Sequence, residues 1–117
     1  MTIIQKLKEA VRPLVSVEFF PPKTEAARTG FQKGAVELTG LAPDFVSVTC
    51  GAGGSSAGPT LAISNRLREL GYGTVMPHCT CVGMSRNDLR ESAGVLINHG
   101  FQNIMALRGD PPRGEKF

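Results

Sequence analysis

Four polar groups suited to chemistry recur in this chain, each at the end of a short apolar run. They are Glu18, Thr49, His78 and the turn Arg108-Gly109-Asp110, and successive members lie 31, 29 and 32 residues apart. A carboxyl such as that of Glu18 can act as a general acid, and an arginine can bind an anion with two parallel hydrogen bonds. The near-constant spacing indicates that one structural unit repeats and delivers these groups to a common site.

The apolar runs before these residues are the predicted strands. A repeat of about 30 residues is the length of one strand–helix unit in a parallel βα array. In a (βα) barrel the C-terminal ends of the strands share one face, and chemistry takes place there. The four runs are Leu14–Phe19, Phe45–Thr49, Thr74–His78 and Asn103–Leu107.

Helix signals fill the intervals between the strands. Ser85 and Asp88 form a capping-box pattern, and Gly40, Gly71 and Gly100 follow the ends of three helices. The second and fourth strands are nearly continuous apolar runs, as expected where both faces of a sheet are covered. The predicted helices span about residues 2–11, 29–39, 59–70 and 85–98. We therefore predict an α/β fold in which an opening helix is followed by alternating parallel strands and helices, with right-handed crossovers.

The predicted array is shorter than a closed barrel. A TIM barrel has eight units and about 250 residues, whereas 117 residues hold three and a half. We expect one domain over residues 1–117 that comprises the first half of a (βα)8 barrel. Its two unpaired strand edges favour self-association as a homo-oligomer, or aggregation. A small open, doubly wound sheet is an alternative that satisfies the same pattern.

Composition narrows the function classes. The chain is 41% hydrophobic and 20% charged, as globular proteins are. Its net charge is +3, and its basic residues are spread mostly over the predicted helices without aromatic residues between them. This distribution argues against a nucleic-acid surface. No apolar run approaches the roughly 20 residues of a membrane span, and the N-terminus does not resemble a signal peptide. The three cysteines, an odd number, indicate a reducing, cytoplasmic location.

Glu18 and Asp110 are the candidate catalytic carboxylates. Glu18 stands beside Phe19-Phe20, so we expect aromatic surface to desolvate it in part and favour the protonated form that a general acid needs. The alternative is a rim carboxylate paired with Lys23 or Arg108. Asp110 follows a glycine that allows a ligand to approach the backbone closely. The alternative for Asp110 is an ordinary Gly-Asp-Pro turn.

Two further motifs are weaker signals. The loop Gly51–Ser56 is glycine-rich, but Ser56 replaces the last glycine of a dinucleotide fingerprint and the loop has no Walker lysine. This loop leaves open a small α/β module that binds a phosphorylated ligand. In His78-Cys79-Thr80-Cys81 the two cysteines share one face of a strand and the histidine points to the other. With no fourth ligand evident, we expect no metal site.

Taken together, four stretches resemble the methylenetetrahydrofolate reductase family. They are Val17–Lys23, Phe45–Gly54, Pro77–Cys81 and Ala106–Pro112, in family order and spacing. The resemblance implies a (βα)8 barrel with FAD bound at its C-terminal face. It also implies that a hydride passes from NADH or NADPH through the flavin to methylenetetrahydrofolate, giving methyltetrahydrofolate.

The resemblance implies roles for individual residues as well. Glu18 would be the general acid that opens the five-membered ring of the folate, and Asp110 the carboxylate near the flavin and the pterin. Thr49 would also lie near the nicotinamide. Cys50 stands where the family often has an aromatic residue. The resemblance therefore implies a backbone contact with the flavin at this position, without the stacking contact of an aromatic side chain. Flavin contacts are implied for Thr49, Cys50, Ala52, His78, Arg108, Gly109 and Asp110.

The second half of the family barrel supplies much of the adenine, phosphate and folate binding. Two functional hypotheses follow from that division. The chain is the N-terminal part of a reductase catalytic domain, or it is a truncated, non-catalytic half-barrel that self-associates or aggregates.

Overall fold

The computed structural model describes residues 1–50, 57–111, 113–114 and 116, which fold around one parallel sheet. Its strands are β1 Ser16–Phe19, β2 Phe45–Val48, β3 Val75–Thr80 and β4 Met105–Leu107. The helices are α1 Ile3–Glu9, α2 Glu25–Leu38, α3 Ala57–Glu69 and α4 Arg86–Asn98, with a 3₁₀ turn at Thr39–Leu41. The predicted alternation of strands and helices is confirmed. No helix in these described ranges is long and apolar enough to cross a bilayer.

Strand order separates the two predicted architectures. β1 pairs with β2, β2 with β3 and β3 with β4, all in parallel, so the order in the sheet is the order in the chain. A doubly wound sheet has a switch point at which the strand order reverses. Consecutive right-handed crossovers in one direction place the helices on one side and curve the sheet, as in a barrel. The sheet is therefore of the barrel type, and the doubly wound alternative is wrong.

The hydrophobic core lies between the sheet and its helices. Val46, Val48 and Leu67 are completely buried. The ring of Phe19 meets those of Phe31 and Tyr72 edge to face, at centroid distances of 5.7 and 5.8 Å. Remaining core members are Ala35, Val75, Cys79, Leu96 and Phe101. Strand β2 is thus covered as predicted. Phe19 of β1 packs against α2 and the segment before β3, so the alternate side chains of β1 point to the opposite face of the sheet.

Strand β4 differs from the prediction. Its residues Met105, Ala106 and Leu107 are all exposed, although the apolar run predicted burial on both faces. Within the described residues β4 is the edge of the sheet and pairs only with β3, so its apolar side chains lack neighbours on the far side.

Side-chain caps set the starts of α1, α2 and α4. Helix α2 begins at Glu25, four residues before the predicted start at Thr29, because the side chain of Thr24 accepts a hydrogen bond from the Ala27 N–H. The predicted capping box at α4 is confirmed. Hydrogen bonds from the backbone N–H and the hydroxyl of Ser85 lower the pKa of Asp88.

A salt bridge joins the segments that lead into β1 and β2. The two oxygens of Asp44 lie 2.7 and 2.9 Å from the guanidinium nitrogens of Arg12, and Oδ2 also accepts from the Val15 N–H at 2.7 Å. The hydrogen bonds from Arg12, followed by that from Val15, lower the pKa of Asp44 to about 2. This carboxylate therefore helps to hold the two strands in register at the N-terminal end of the sheet.

We expect Asp44→Asn to lower stability at neutral pH and to flatten its pH dependence in acid. The folded pKa of about 2 lies below the ordinary value of 3.8. The carboxylate therefore contributes stability above about pH 4 and loses that contribution as the pH falls towards 2. Urea unfolding followed by circular dichroism at several pH values checks this. Glu25→Gln is the control, since Glu25 is almost fully exposed. An Asp44→Asn protein that loses as much stability between pH 4 and 2 as the wild type would contradict the assignment.

Candidate functional site

Three polar side chains lie on the sheet face that points away from the core. Glu18 of β1 is in register with Ser47 of β2, which is in register with Met76 of β3. His78 lies two residues beyond Met76 on the same strand, and alternation of side chains keeps both on one face. The core residues of these strands occupy the alternate positions. The fold thus brings together Glu18, Ser47 and His78 from three neighbouring strands.

One oxygen of the Glu18 carboxyl is contacted from two sides. The Ser47 hydroxyl donates to Glu18 Oε1 at 3.1 Å. His78 Nε2 lies 3.3 Å from the same Oε1 and would form an ion pair with it when protonated. That nitrogen is buried and makes no hydrogen bond of good geometry with the described residues. The imidazole side chain is 10% exposed and the carboxyl side chain 48%, so Glu18 is anchored at its inner oxygen and open towards solvent.

The surroundings of Glu18 differ from those predicted. We expected Phe19-Phe20 to desolvate it. Residues adjacent in a strand point to opposite faces, so Phe19 is buried in the core on the other side, and Phe20 is 69% exposed. The aromatic side chains therefore do not enclose this carboxyl in the described structure. Its neighbours are instead the hydroxyl of Ser47 and the imidazole of His78.

A cleft opens at the C-terminal ends of β1 and β2. It has a volume of about 520 Å³. The Thr49 N–H donates to the Phe19 carbonyl at 3.0 Å, and the Thr60 hydroxyl donates to the Thr49 carbonyl at 2.9 Å. These bonds fix Thr49 between β1 and α3. The cleft is lined by Phe20, Pro21, Pro22, Lys23, Thr49, Cys50, Pro59 and Thr60.

The Arg108-Gly109-Asp110 turn follows β4 at the same end of the sheet. The Cys81 N–H donates to the Leu107 carbonyl at 3.0 Å, which extends the pairing of β3 and β4 to the turn. Gly109 has φ +80°, and a Cβ there would lie 2.9 Å from Val82 Cγ1 and 3.1 Å from Thr80 Cβ. Only glycine fits this combination of backbone conformation and contact. Arg108 and Asp110 are therefore held on either side of a backbone that packs tightly on the end of β3.

Some predicted positions lie elsewhere. Ala52 and the rest of the glycine-rich loop Gly51–Ser56 are outside the described residues. Cys79 belongs to the core, where burial, with a smaller effect of the neighbouring Cys50 and Cys81, raises the pKa of its thiol. In the described part of the chain no cluster of three or more His, Cys, Asp or Glu side chains could hold a metal ion.

Sequence reasoning did not find Ser47. Its signal is a single hydroxyl within the otherwise apolar strand Phe45–Val48. The strand register places it directly beside Glu18, which no pattern within one strand reveals.

Comparison with known proteins matches this chain to one family. The family model for methylenetetrahydrofolate reductase matches residues 3–117. The chain is 37% identical over 118 residues to a protein of Oryza sativa subsp. japonica named probable methylenetetrahydrofolate reductase (NADH), covering 98% of this chain and 20% of the relative. It is 38% identical over 100 residues to 5,10-methylenetetrahydrofolate reductase of Salmonella typhimurium, covering 86% of this chain and 34% of the relative.

The chain therefore spans about a fifth of the length of the plant relative and a third of the bacterial one. The matched region includes every described site residue from Glu18 to Asp110. On the match over nearly its whole length, the chain belongs to the methylenetetrahydrofolate reductase family.

Proposed function

We propose that this chain forms the part of a reductase barrel that carries the catalytic acid and one side of the flavin site. The reaction is the reduction of methylenetetrahydrofolate to methyltetrahydrofolate. The observation that carries the proposal is Glu18, presented at the end of β1 with one oxygen anchored by Ser47 and the side chain open to solvent. Family membership supports the substrate, and the names of the plant relatives support NADH as hydride donor.

Glu18 is the general acid in this proposal. It gives its proton to one of the two nitrogens that share the methylene carbon of the folate. The carbon–nitrogen bond breaks with its electron pair on that nitrogen, which leaves a cationic iminium at the other nitrogen. Addition of a hydride to the methylene carbon then gives the methyl group. Proton donation by a positioned side chain contributes about 10²- to 10⁴-fold to such a step.

Asp110 is the second carboxylate of the proposed site. An anionic side chain near the developing iminium favours its positive charge, and the effect is large where water is excluded. The tight packing of Gly109 on Thr80 and Val82 restrains the backbone from which Asp110 extends. Arg108, on the other side of the glycine, is suited to an anionic group of the cofactor or substrate.

The residues that line the cleft at the C-terminal ends of β1 and β2 fit a flavin. The cleft of about 520 Å³ is within the usual range for a small-molecule site. Its lining combines the apolar rings of Phe20 and Pro59 with the cation of Lys23 and the polar residues Thr49 and Cys50, which suits a planar ring system with a polar edge and an anionic tail. The buried Nε2 of His78, which makes no hydrogen bond of good geometry with the described residues, is a further polar atom on this side of the sheet. The redox chemistry, hydride transfer from the nicotinamide to the folate, is what the flavin supplies when bound.

The proposal also includes the cellular compartment of the protein, which we infer from its cysteines. Cys50, Cys79 and Cys81 form no disulfide with one another in the described structure, which favours a reducing compartment and hence the cytoplasm.

We expect the purified chain to retain FAD. After incubation with FAD and removal of the free cofactor on a desalting column, the protein fraction should show the visible flavin band. Lys23→Ala should weaken retention by about two- to fivefold, as expected for the loss of one partly exposed ion pair. Lys33→Ala, on α2 and away from the cleft, is the control. A colourless protein fraction, or equal losses in both variants, would argue against a flavin site in this cleft.

A further inference from the structure

Ser47 is the one polar side chain of β2, and it is buried. Its exposure is 6%, and the flanking Val46 and Val48 are fully buried on the opposite face. A hydroxyl taken out of water costs free energy unless it is hydrogen-bonded. The bond that satisfies Ser47 is the one to Glu18 Oε1, a residue 29 positions earlier in the chain. The hydroxyl is therefore directed at the proposed acid.

We propose that Ser47 is a positioning residue for Glu18. It holds Oε1 so that Oε2 carries the proton and delivers it to the substrate. The inference rests on the proposed function of Glu18 and adds to it the residue that orients the acid.

Both described contacts of the carboxyl support this assignment of its two oxygens. Ser47 Oγ and His78 Nε2 approach the same atom, Oε1, at 3.1 and 3.3 Å. Since Oε1 is the oxygen that these two groups hold, the proposal assigns the transferable proton to Oε2. A proton that leaves Oε2 breaks one O–H bond and forms one N–H bond on the substrate, while Ser47 keeps its own proton. The serine hydroxyl can donate to a carboxylate and to the carbonyl oxygen of a neutral carboxyl, so the contact persists through the transfer.

The sheet makes Ser47 a rigid anchor. Its strand is paired on both sides, with β1 at Glu18 and with β3 at Met76, and serine has a single side-chain torsion before its oxygen. Glu18 has three torsions and is half exposed, so without the anchor it would sample several rotamers. A misplacement of about 1 Å at a reacting group can lower a rate by about 10²-fold. The contact thus converts a mobile side chain into an oriented acid.

The first test reads the carboxyl itself and needs no activity. With ¹³C-labelled glutamate side chains in the purified chain, Ser47→Ala should move the carboxyl resonance of Glu18. Ser47→Thr keeps the hydroxyl and suits a strand, so the resonance should return close to its wild-type position. Ser16→Ala is the matched control, since Ser16 lies on the same face of β1 and is exposed. Unchanged amide resonances of Leu67 and Leu96, core residues on α3 and α4, show that each variant is folded.

The second test reads the half-reactions of the flavin-loaded protein. Ser47→Ala should slow the folate half-reaction by about 10- to 100-fold and leave the nicotinamide half-reaction unchanged, with Ser47→Thr restoring most of the rate. Equal responses of the carboxyl resonance to Ser47→Ala and Ser16→Ala would overturn the anchoring. If Glu18→Gln leaves the rate of the folate half-reaction unchanged, Glu18 is not the acid, and the proposed delivery of a proton from Oε2 is wrong as well. The carboxyl resonance still decides, independently, whether Ser47 holds Glu18.

Discussion

Replacing Glu18 by glutamine is expected to slow hydride transfer to methylenetetrahydrofolate by about 10²- to 10⁴-fold. Reduction of the bound flavin by the nicotinamide should be nearly unchanged, because that half-reaction requires no acid. Glutamine has the shape of glutamate, and its carbonyl oxygen can still accept the Ser47 hydrogen bond seen at 3.1 Å. The substitution therefore removes the transferable proton and preserves the geometry.

Rapid-mixing experiments measure the rates of the two half-reactions separately. The flavin absorbance is followed once after addition of the nicotinamide and once after addition of the folate to the reduced protein. Glu25→Gln is the control, since Glu25 is a nearly fully exposed carboxylate at the start of α2. Losses of the same size in both half-reactions would show that Glu18 serves binding or folding, and not proton donation.

Gly109→Ala is expected to lower the free energy of unfolding by about 2 to 6 kcal/mol, or to displace the turn that carries Arg108 and Asp110. Two costs combine at this position. A φ of +80° is strained for alanine by about 1 to 3 kcal/mol. The new Cβ would also lie 2.9 Å from Val82 Cγ1, and such overpacking costs about 1 to 3 kcal/mol more.

Gly83→Ala separates the two costs. Gly83 has φ +71°, and a Cβ there would meet no atom within 4 Å, so this variant carries the backbone strain without the collision. Chemical denaturation of both proteins, with flavin retention measured in parallel, should find the Gly109 variant less stable by a further 1 to 3 kcal/mol, roughly. Equal stability of the two variants, with equal flavin retention, would mean that the turn is not held by its packing on β3.

The order of elements could be predicted because each strand–helix unit is encoded locally. Apolar runs, glycines after helices and the Ser85–Asp88 capping box lie within a few residues of the structure that they specify. Helix α2 begins before its predicted start because the cap at Thr24 precedes any apolar periodicity. The exposure of β4 could not be predicted, since an apolar run does not show which strand pairs with its outer side.

Sequence reasoning named Glu18 and His78 as candidate site residues but did not predict the contacts that they make. Glu18 stands beside Phe19 in sequence, but the alternation of a strand places Phe19 in the core, and sequence proximity therefore suggested the wrong neighbours. The true neighbours, Ser47 and His78, come from the next two strands. Their proximity depends on strand register, which is a property of the assembled sheet.

The most direct test of the account is a single turnover with the folate. The flavin-loaded chain is reduced without oxygen and mixed with methylenetetrahydrofolate, and the folate products are then identified by mass spectrometry. We expect methyltetrahydrofolate to form as the flavin is reoxidised, with one molecule formed for each flavin. Recovery of the folate unchanged from a folded, flavin-loaded chain would contradict the claim that this face of the sheet is a reductase site.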